Sequence, residues 1–285
     1  MLRPRPVAPG VEVFPTLTPT LPPATHTNSY ALGGSEVLLV EPATPFEDER
    51  REWLAWAEGL ASQGRRIVAI FATHHHSDHV GGAELLCRAL GLPLWTHALT
   101  AERIEAPVAR CLEDGEVVRL DDQAWRCLHT PGHAPGHLCL HDEAQGTLVV
   151  GDMVASVGTI VIAPEDGDLK RYLSELERLR RLDARLGLPA HGDPIPEPAG
   201  LFAHYVKHRL GREAKVLDAV RRRMPDGGDL DDLVALAYDD TPPAIWPLAK
   251  LSLESHLLKL VAEGRVERRD GRYRAAATGG DAISS

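Results

Sequence analysis

Four of the chain's fourteen histidines fall in one six-residue window, His74-His75-His76-Ser77-Asp78-His79. Directly before it, residues 67–72 form a short apolar run that reads as a strand buried on both faces. A buried strand that empties into imidazoles and a carboxylate needs more than apolar packing at its end, because buried polar groups must find partners. In an extended segment alternate side chains point the same way, so His74 and His76 can grip one ion. Asp78 and His79 lie at the turn into the next helix and can face a second.

Three more candidates sit in isolated polar contexts: His133 in Thr130-Pro131-Gly132-His133, Asp152 in Gly151-Asp152, and His191 in His191-Gly192-Asp193. Each follows a run read as a strand, so each is expected where loops meet at one edge of a sheet. Five imidazoles and two carboxylates suit Zn2+, with Mn2+ or Fe2+ as alternatives. Seven donors exceed one tetrahedral ion and fit two ions bridged by Asp152, about 3.5–4 Å apart.

The flanking pattern supports an α/β layered fold. Residues 36–40 read as a strand, 48–62 as an amphipathic helix, 80–90 as a helix and 92–96 as a strand. Short strands follow over 116–120, 124–129, 137–141 and 147–150. A helix capped by Asp168 is expected over 169–182, and a last short strand over 188–190. The three prolines of 194–198 read as a linker. Helices over 204–224, 230–237 and 246–262, then a hairpin around Asp270-Gly271, give the layout of a winged helix. The chain therefore divides into a catalytic domain, 1–200, and a winged-helix-like domain, 201–285. Residues 1–27 read as Pro-rich and irregular with short β-prone pieces such as 11–14, and the last ten as a disordered tail.

Composition removes several classes. With 31 basic and 41 acidic residues the net charge is −10, which disfavours bulk attraction to nucleic-acid phosphates. The four cysteines form no C-x-x-C pair, against a thiolate site or a disulfide framework. Nothing at the N-terminus reads as a signal peptide, and no apolar run reaches the length of a membrane span. The expectation is a soluble, cytoplasmic protein.

The ordered set H-x-H-x-D-H, T-P-G-H, G-D and H-G resembles the metallo-β-lactamase superfamily. The resemblance implies an αββα four-layer sandwich. It implies a first ion on His74, His76 and His133, a second on Asp78, His79 and His191, and Asp152 as the bridge. Thr73-His74 through Gly81-Gly82 and the segment Thr130–His137 resemble its glyoxalase II and β-lactamase-like protein 2 branches. Tyr205, His208, Arg209, Arg212 and Glu213, with the run from Trp246 to Val266, resemble the winged-helix tail of the latter. One departure is Glu41-Pro42-Ala43-Thr44, where many relatives carry Asp-Thr-Gly or Asp-Pro-Gly; it leaves the role of that carboxylate open.

The implied activity is dinuclear, metal-dependent hydrolysis by a hydroxide bridging two divalent ions, with Asp78 and Asp152 holding and orienting it. The substrate expected from the acidic, aromatic-poor composition is a small or carrier-bound ester or thioester. The resemblance also admits a single-stranded-RNA endoribonuclease with the same centre. A non-enzymatic winged-helix regulator is the remaining alternative. DNA is disfavoured, because the third helix carries only Lys250 and Lys259 as cations. A homodimer is compatible with the sequence. Asn28, Tyr205, His208 and Arg209 are the candidate substrate contacts, the last three on one helix face with Arg212, where a domain-anchoring salt bridge is the plainer role. His75 is read as a packing or supporting residue and His137 as a structural hydrogen-bonder.

Overall fold

The protein is described by a computed structural model over residues 3–276. Apart from Ala276, the expected disordered tail lies outside the described residues. The chain opens with antiparallel strands β1 (Arg5–Ala8), β2 (Val11–Leu17), β3 (His26–Leu32) and β4 (Glu36–Val40). Helix α1 (Glu47–Ser62) leads to β5 (Arg66–Phe71), then α2 (Ser77–Val80), α3 (Ala83–Leu90), β6 (Leu94–Thr96), α4 (Ala98–Ala101) and β7 (Val108–Cys111). These seven strands form one sheet in chain order, parallel from β4 onward. A second sheet holds β8 (Val117–Leu120), β9 (Gln123–His129), β10 (Leu138–Asp142) and β11 (Thr147–Gly151). After α5 (Leu169–Arg180) it gains β12 (Leu186–Pro189) and β13 (Ile195–Pro196). Its order is β13-β12-β11-β10-β9-β8.

Strand alternation builds the layers. In β4, Leu38 and Val40 point between the sheets, where they meet Trp125, Leu138, Leu140 and Leu188. Val37 and Leu39 point the other way, onto Trp53, Ala57 and Leu60 of α1 and Leu86 of α3. The second sheet's outer face packs Leu128, Leu148 and Val150 against Tyr172 and Leu176 of α5 and Phe202 of the next helix. Helix, sheet, sheet, helix is the expected four-layer sandwich, and the two-residue strand period explains why these strands read as continuous apolar runs.

The C-terminal region comprises α6 (Ala199–Arg222), α7 (Leu230–Ala237), α8 (Trp246–Ala262) and the hairpin β14 (Val266–Arg269) with β15 (Arg272–Ala275). Asp229 caps α7 in a reciprocal capping box with Asp232. Asp270 and Gly271 both hold positive φ, the two-residue turn expected of that pair. Helix, helix, helix, hairpin is a winged-helix arrangement. No helix of the described residues is long and apolar enough to cross a membrane.

Three expectations are corrected. Residues 5–17 are not irregular: β1 and β2 pair in sheet one, with Val11 and Val13 buried between the sheets. Pro6 and Pro15 mislead a local reading. Pro6 lies on the edge strand, and pairing with β3 carries β2 through Pro15. The helix expected over 80–90 is two helices, broken at Gly81-Gly82. There a Cβ on Gly82 would stand 2.7 Å from the carbonyl oxygen of Thr44, so the close approach of the 42–44 segment requires glycine. Finally, 194–198 is β13 plus the entry to α6, whose N-terminal turns pack on sheet two while Val216, Leu217 and Val220 belong to the C-terminal core. One helix thus serves both cores across the expected boundary.

Leu38 is fully buried between the sheets, whereas Leu210 is 48% exposed. Leu38→Ala is expected to cost about 2–5 kcal/mol in denaturant unfolding, and Leu210→Ala less than about 0.5 kcal/mol. Similar losses at both positions would contradict the layer assignment.

Candidate metal centre

All seven predicted donors meet at one edge of the sandwich. His74 and His76 follow β5, His133 follows β9, Asp152 follows β11 directly, and His191 follows β12. Because sheet two pairs β11 parallel to β12, Asp152 and His191 leave the sheet side by side. His74 Nε2, His76 Nδ1 and His133 Nε2 form a triangle with sides of 3.0, 3.0 and 3.2 Å. Tetrahedral bonds of about 2.0–2.1 Å to nitrogen place neighbouring nitrogens about 3.3 Å apart. On the other side, His191 Nε2 stands 3.5 Å from Asp78 Oδ2 and 3.4 Å from Asp152 Oδ1. His79 Nε2 stands 3.6 Å from Asp152 Oδ2 and 3.8 Å from Asp78 Oδ1. Asp152 touches both sets, since its Oδ2 is also 3.4 Å from His133 Nε2.

The outward nitrogens settle which way each ring points. His133 Nδ1–H donates to the Val161 carbonyl at 2.9 Å, and His191 Nδ1–H to the His26 carbonyl at 3.0 Å. His76 Nε2 faces Asp166 Oδ2 at 3.1 Å, and His79 Nδ1 faces Glu41 Oε1 at 3.1 Å. His74 Nδ1 meets the Thr73 hydroxyl at 3.0 Å, and that hydroxyl donates to Glu41. Each outward ring nitrogen is hydrogen-bonded to the fold, so five inward ring nitrogens converge with two carboxylates. His79 Nε2 and Asp152 Oδ1 are buried without a hydrogen-bond partner. Converging ring nitrogens and orphaned anionic oxygen fit divalent cations and little else.

The field favours positive charge here. Burial opposes protonation of His79, yet Asp152, Glu41 and Asp78 outweigh it and hold the imidazole well above its ordinary value. Burial and the neighbouring imidazoles push His74 well down, and burial pushes His133 down to about 4. Burial favours a neutral Asp152, but His191 and His79 keep it ionised, well below the usual carboxylate range.

Residue patterns alone did not give the supporting layer. Glu41 is 1% exposed and bonds both Thr73 and His79, which answers the question its departure raised. It does so at φ 60°, a conformation that costs a non-glycine residue about 1 kcal/mol. Asp166 pairs with His75 Nε2 at 2.6 Å as well as with His76; nothing local marked it. His137 accepts the Asp152 backbone N–H at 3.0 Å and so fixes the start of that loop. Two expected substrate contacts have other work. Asn28 is buried, and its amide donates to the carbonyls of Pro189 and Gly192, bracing the His191 loop. The Tyr205 hydroxyl is engaged with the backbone of Ala155. Tyr205, His208, Arg209 and Arg212 all line one cavity, and Arg212 also forms a two-pronged ion pair with Asp240.

The metallo-beta-lactamase superfamily pattern matches residues 22–191, which include all seven donors. The chain belongs to the metallo-beta-lactamase superfamily. The beta-lactamase associated winged helix domain matches residues 230–274. Among curated relatives, a Drosophila melanogaster protein named beta-lactamase-like protein 2 homolog is 31% identical over 252 residues, 84% of each chain. An atrochrysone carboxyl ACP thioesterase from Paecilomyces divaricatus is 31% identical over 250 residues, covering 84% of this chain and 76% of the relative. A beta-lactamase domain protein from Burkholderia ambifaria superposes with a TM-score of 0.81 at 25% identity, covering 96% and 95% of the two chains. This metallo-beta-lactamase superfamily member is thus a hydrolase with an accessory winged helix, and the non-enzymatic regulator is set aside. The third helix of that module contributes Leu248 and Leu251 to the wall of the cavity over the donors.

Gly132, just before His133, holds φ 137°, and a Cβ there would lie 2.4 Å from the backbone of Tyr172. Gly132→Ala is expected to lose about 1–3 kcal/mol in thermal or denaturant unfolding from backbone strain alone, with the clash adding to it. An unchanged midpoint would show that the His133 turn relaxes freely.

Proposed function

We propose that the protein is a dinuclear metal-dependent hydrolase of an ester or thioester. One observation carries this reading: two donor sets, His74/His76/His133 and Asp78/His79/His191, share Asp152 at the floor of a single cavity of about 400 Å³. The residues that would hold two divalent cations, Zn2+ or else Mn2+ or Fe2+, are these seven. Bound there, such ions supply an acidified water as nucleophile and positive charge against the developing oxyanion.

The chain's own residues do the rest. His133 and His191 donate outward from Nδ1, so the direction of their inward nitrogens is fixed. Asp152, kept ionised, and Asp78 accept hydrogen bonds from the nucleophile and orient it. Ala24, Ala155, Ile160, Val161 and Leu251 make the cavity walls apolar, which suits an acyl arm and strengthens charge interactions at the floor. Among the described residues no Lys, Arg, Phe, Tyr or Trp lines that cavity. Single-stranded RNA needs such cations and stacking rings, so it is the less supported substrate. The relative named as an ACP thioesterase supports a small or carrier-bound thioester.

Elemental analysis of purified protein is expected to find about two divalent ions per chain. Chelation should abolish thioester hydrolysis, and Asp78→Ala should lower kcat by about a hundredfold or more, the loss of several kcal/mol of transition-state stabilisation. Activity that survives both chelation and His76→Ala would reject the metal mechanism. Cleavage of single-stranded RNA with no thioester turnover would reject the substrate. Separately, Glu41→Gln removes the anionic partner of His79 and is expected to weaken metal binding by about 10–100-fold in competition with a chelating dye. An affinity equal to that of the parent protein would deny Glu41 its supporting role.

A further inference from the structure

The outward ring nitrogens of the two donor sets are held from different parts of the molecule. In the second set, His79 meets Glu41 at 3.1 Å and His191 donates to the His26 carbonyl at 3.0 Å. Asn28 braces the loop after His191. These partners come from β3 and from the residue that follows β4. In the first set only His74 is held from that side, through Thr73 and Glu41. His133 donates to the Val161 carbonyl at 2.9 Å, and His76 faces Asp166 at 3.1 Å. Both of those partners lie in the segment 160–166.

Residues 160–163 belong to no strand or helix, so no ladder of backbone bonds fixes them. After them, the N–H groups of Asp166 and Gly167 turn back onto the Ala163 carbonyl at 3.3 and 2.6 Å. The Asp168 N–H then reaches the Gly132 carbonyl at 2.9 Å, beside His133. The start of the segment is fixed by two side chains, and both belong to the C-terminal module. Arg209 of α6 donates to the Ile160 carbonyl, and the Ser255 hydroxyl of α8 donates to the Ile162 carbonyl at 2.5 Å. The Val161 carbonyl between them is left for His133. Ile160, Ile162 and Ser255 are all buried. A buried carbonyl that loses its donor is costly, so a segment deprived of the Ser255 hydroxyl shifts until the Ile162 carbonyl finds another. Such a shift moves the partners of His133 and His76 and leaves those of His79 and His191 in place.

We propose, on the basis of the dinuclear reading above, that Ser255 is a positioning residue for the first metal site. It acts through the 160–166 segment, which aims His133 by a carbonyl and His76 by a carboxylate. The affinity of the His74/His76/His133 set for its ion thus depends on how the winged helix is seated. The affinity of the Asp78/His79/His191 set does not, because its supports come from the N-terminal sheet. The two sites are therefore tuned separately, one from each end of the chain.

The test measures the stepwise Zn2+ affinities of the full-length protein in competition with a chelating dye. His76→Ala and His191→Ala show which step belongs to which donor set. Ser255→Ala is expected to weaken the first-set step by about three- to tenfold, the scale of one neutral hydrogen bond, and to leave the other step within about twofold. Ser255→Thr keeps the hydroxyl and should recover most of that loss. Asp166→Asn acts directly on His76 and should weaken the same step by about 10–100-fold. Melting temperature is measured for each variant. If Ser255→Ala does not fold, Arg209→Met, which frees the Ile160 carbonyl, carries the comparison with the same expected selectivity. A loss shared equally by both steps is a general loss of stability and overturns the proposal. No change in either step, or a loss that Ser255→Thr does not recover, overturns it as well. Two steps in the parent protein with an insensitive Ser255→Ala reject the positioning role alone. A parent protein that binds fewer than two ions rejects the dinuclear reading and the positioning role with it.

Discussion

Each imidazole at the centre turns one ring nitrogen inward because its other ring nitrogen is bonded to the fold. The bonds run to the carbonyls of Val161 and His26 and to Glu41, Asp166 and Thr73. A ring free to rotate, or free to carry its proton inward, would break the convergence. The cost of holding so many donors together is carried by the two sheets behind them, whose shared core buries Trp125, Phe71, Leu38 and Leu140. The stability of the sandwich and the chemistry of its rim are separate in space but joined through short loops.

One loop shows how the C-terminal module enters this arrangement. Three consecutive carbonyls, those of Ile160, Val161 and Ile162, are held by Arg209 of α6, by His133 of the donor set, and by Ser255 of α8 at 2.5 Å. The C-terminal module therefore grips the same segment that orients His133. Its third helix, which in a nucleic-acid reader would face outward, turns Leu248 and Leu251 over the cavity. The module serves as a wall and a brace, in keeping with the rule that a fold does not by itself state a function. Charge follows the same division. Arg212 and Lys215 are spent on Asp240, which ties α6 to the end of α7.

The donors themselves were legible one by one. His74, His76, Asp78 and His79 follow an apolar run, and His133, Asp152 and His191 each follow a shorter one, so type and context sufficed to single them out. Helices 230–237 and 246–262 were equally plain, since their apolar spacing is local. What failed was of another kind. Strands β1 and β2 are held by pairing across the sheet, a partner no local window contains, and their prolines argued against them. Asn28 lies in the expected place, but its amide is consumed by the backbone of the 189–192 segment, more than 160 residues away.

By itself, then, the sequence determined the periodicities, the alternation of strands and helices and the residue types of the candidate donor set, because each depends on neighbours within a few turns or strands of chain. Tertiary structure alone decided that β11 and β12 lie side by side and bring Asp152 to His191. It alone set Glu41 and Asp166 behind the imidazoles. The reason is that hydrogen-bond satisfaction is a property of the assembled interior. Whether a buried group has a partner is fixed only when strands and helices far apart in the chain have closed around it.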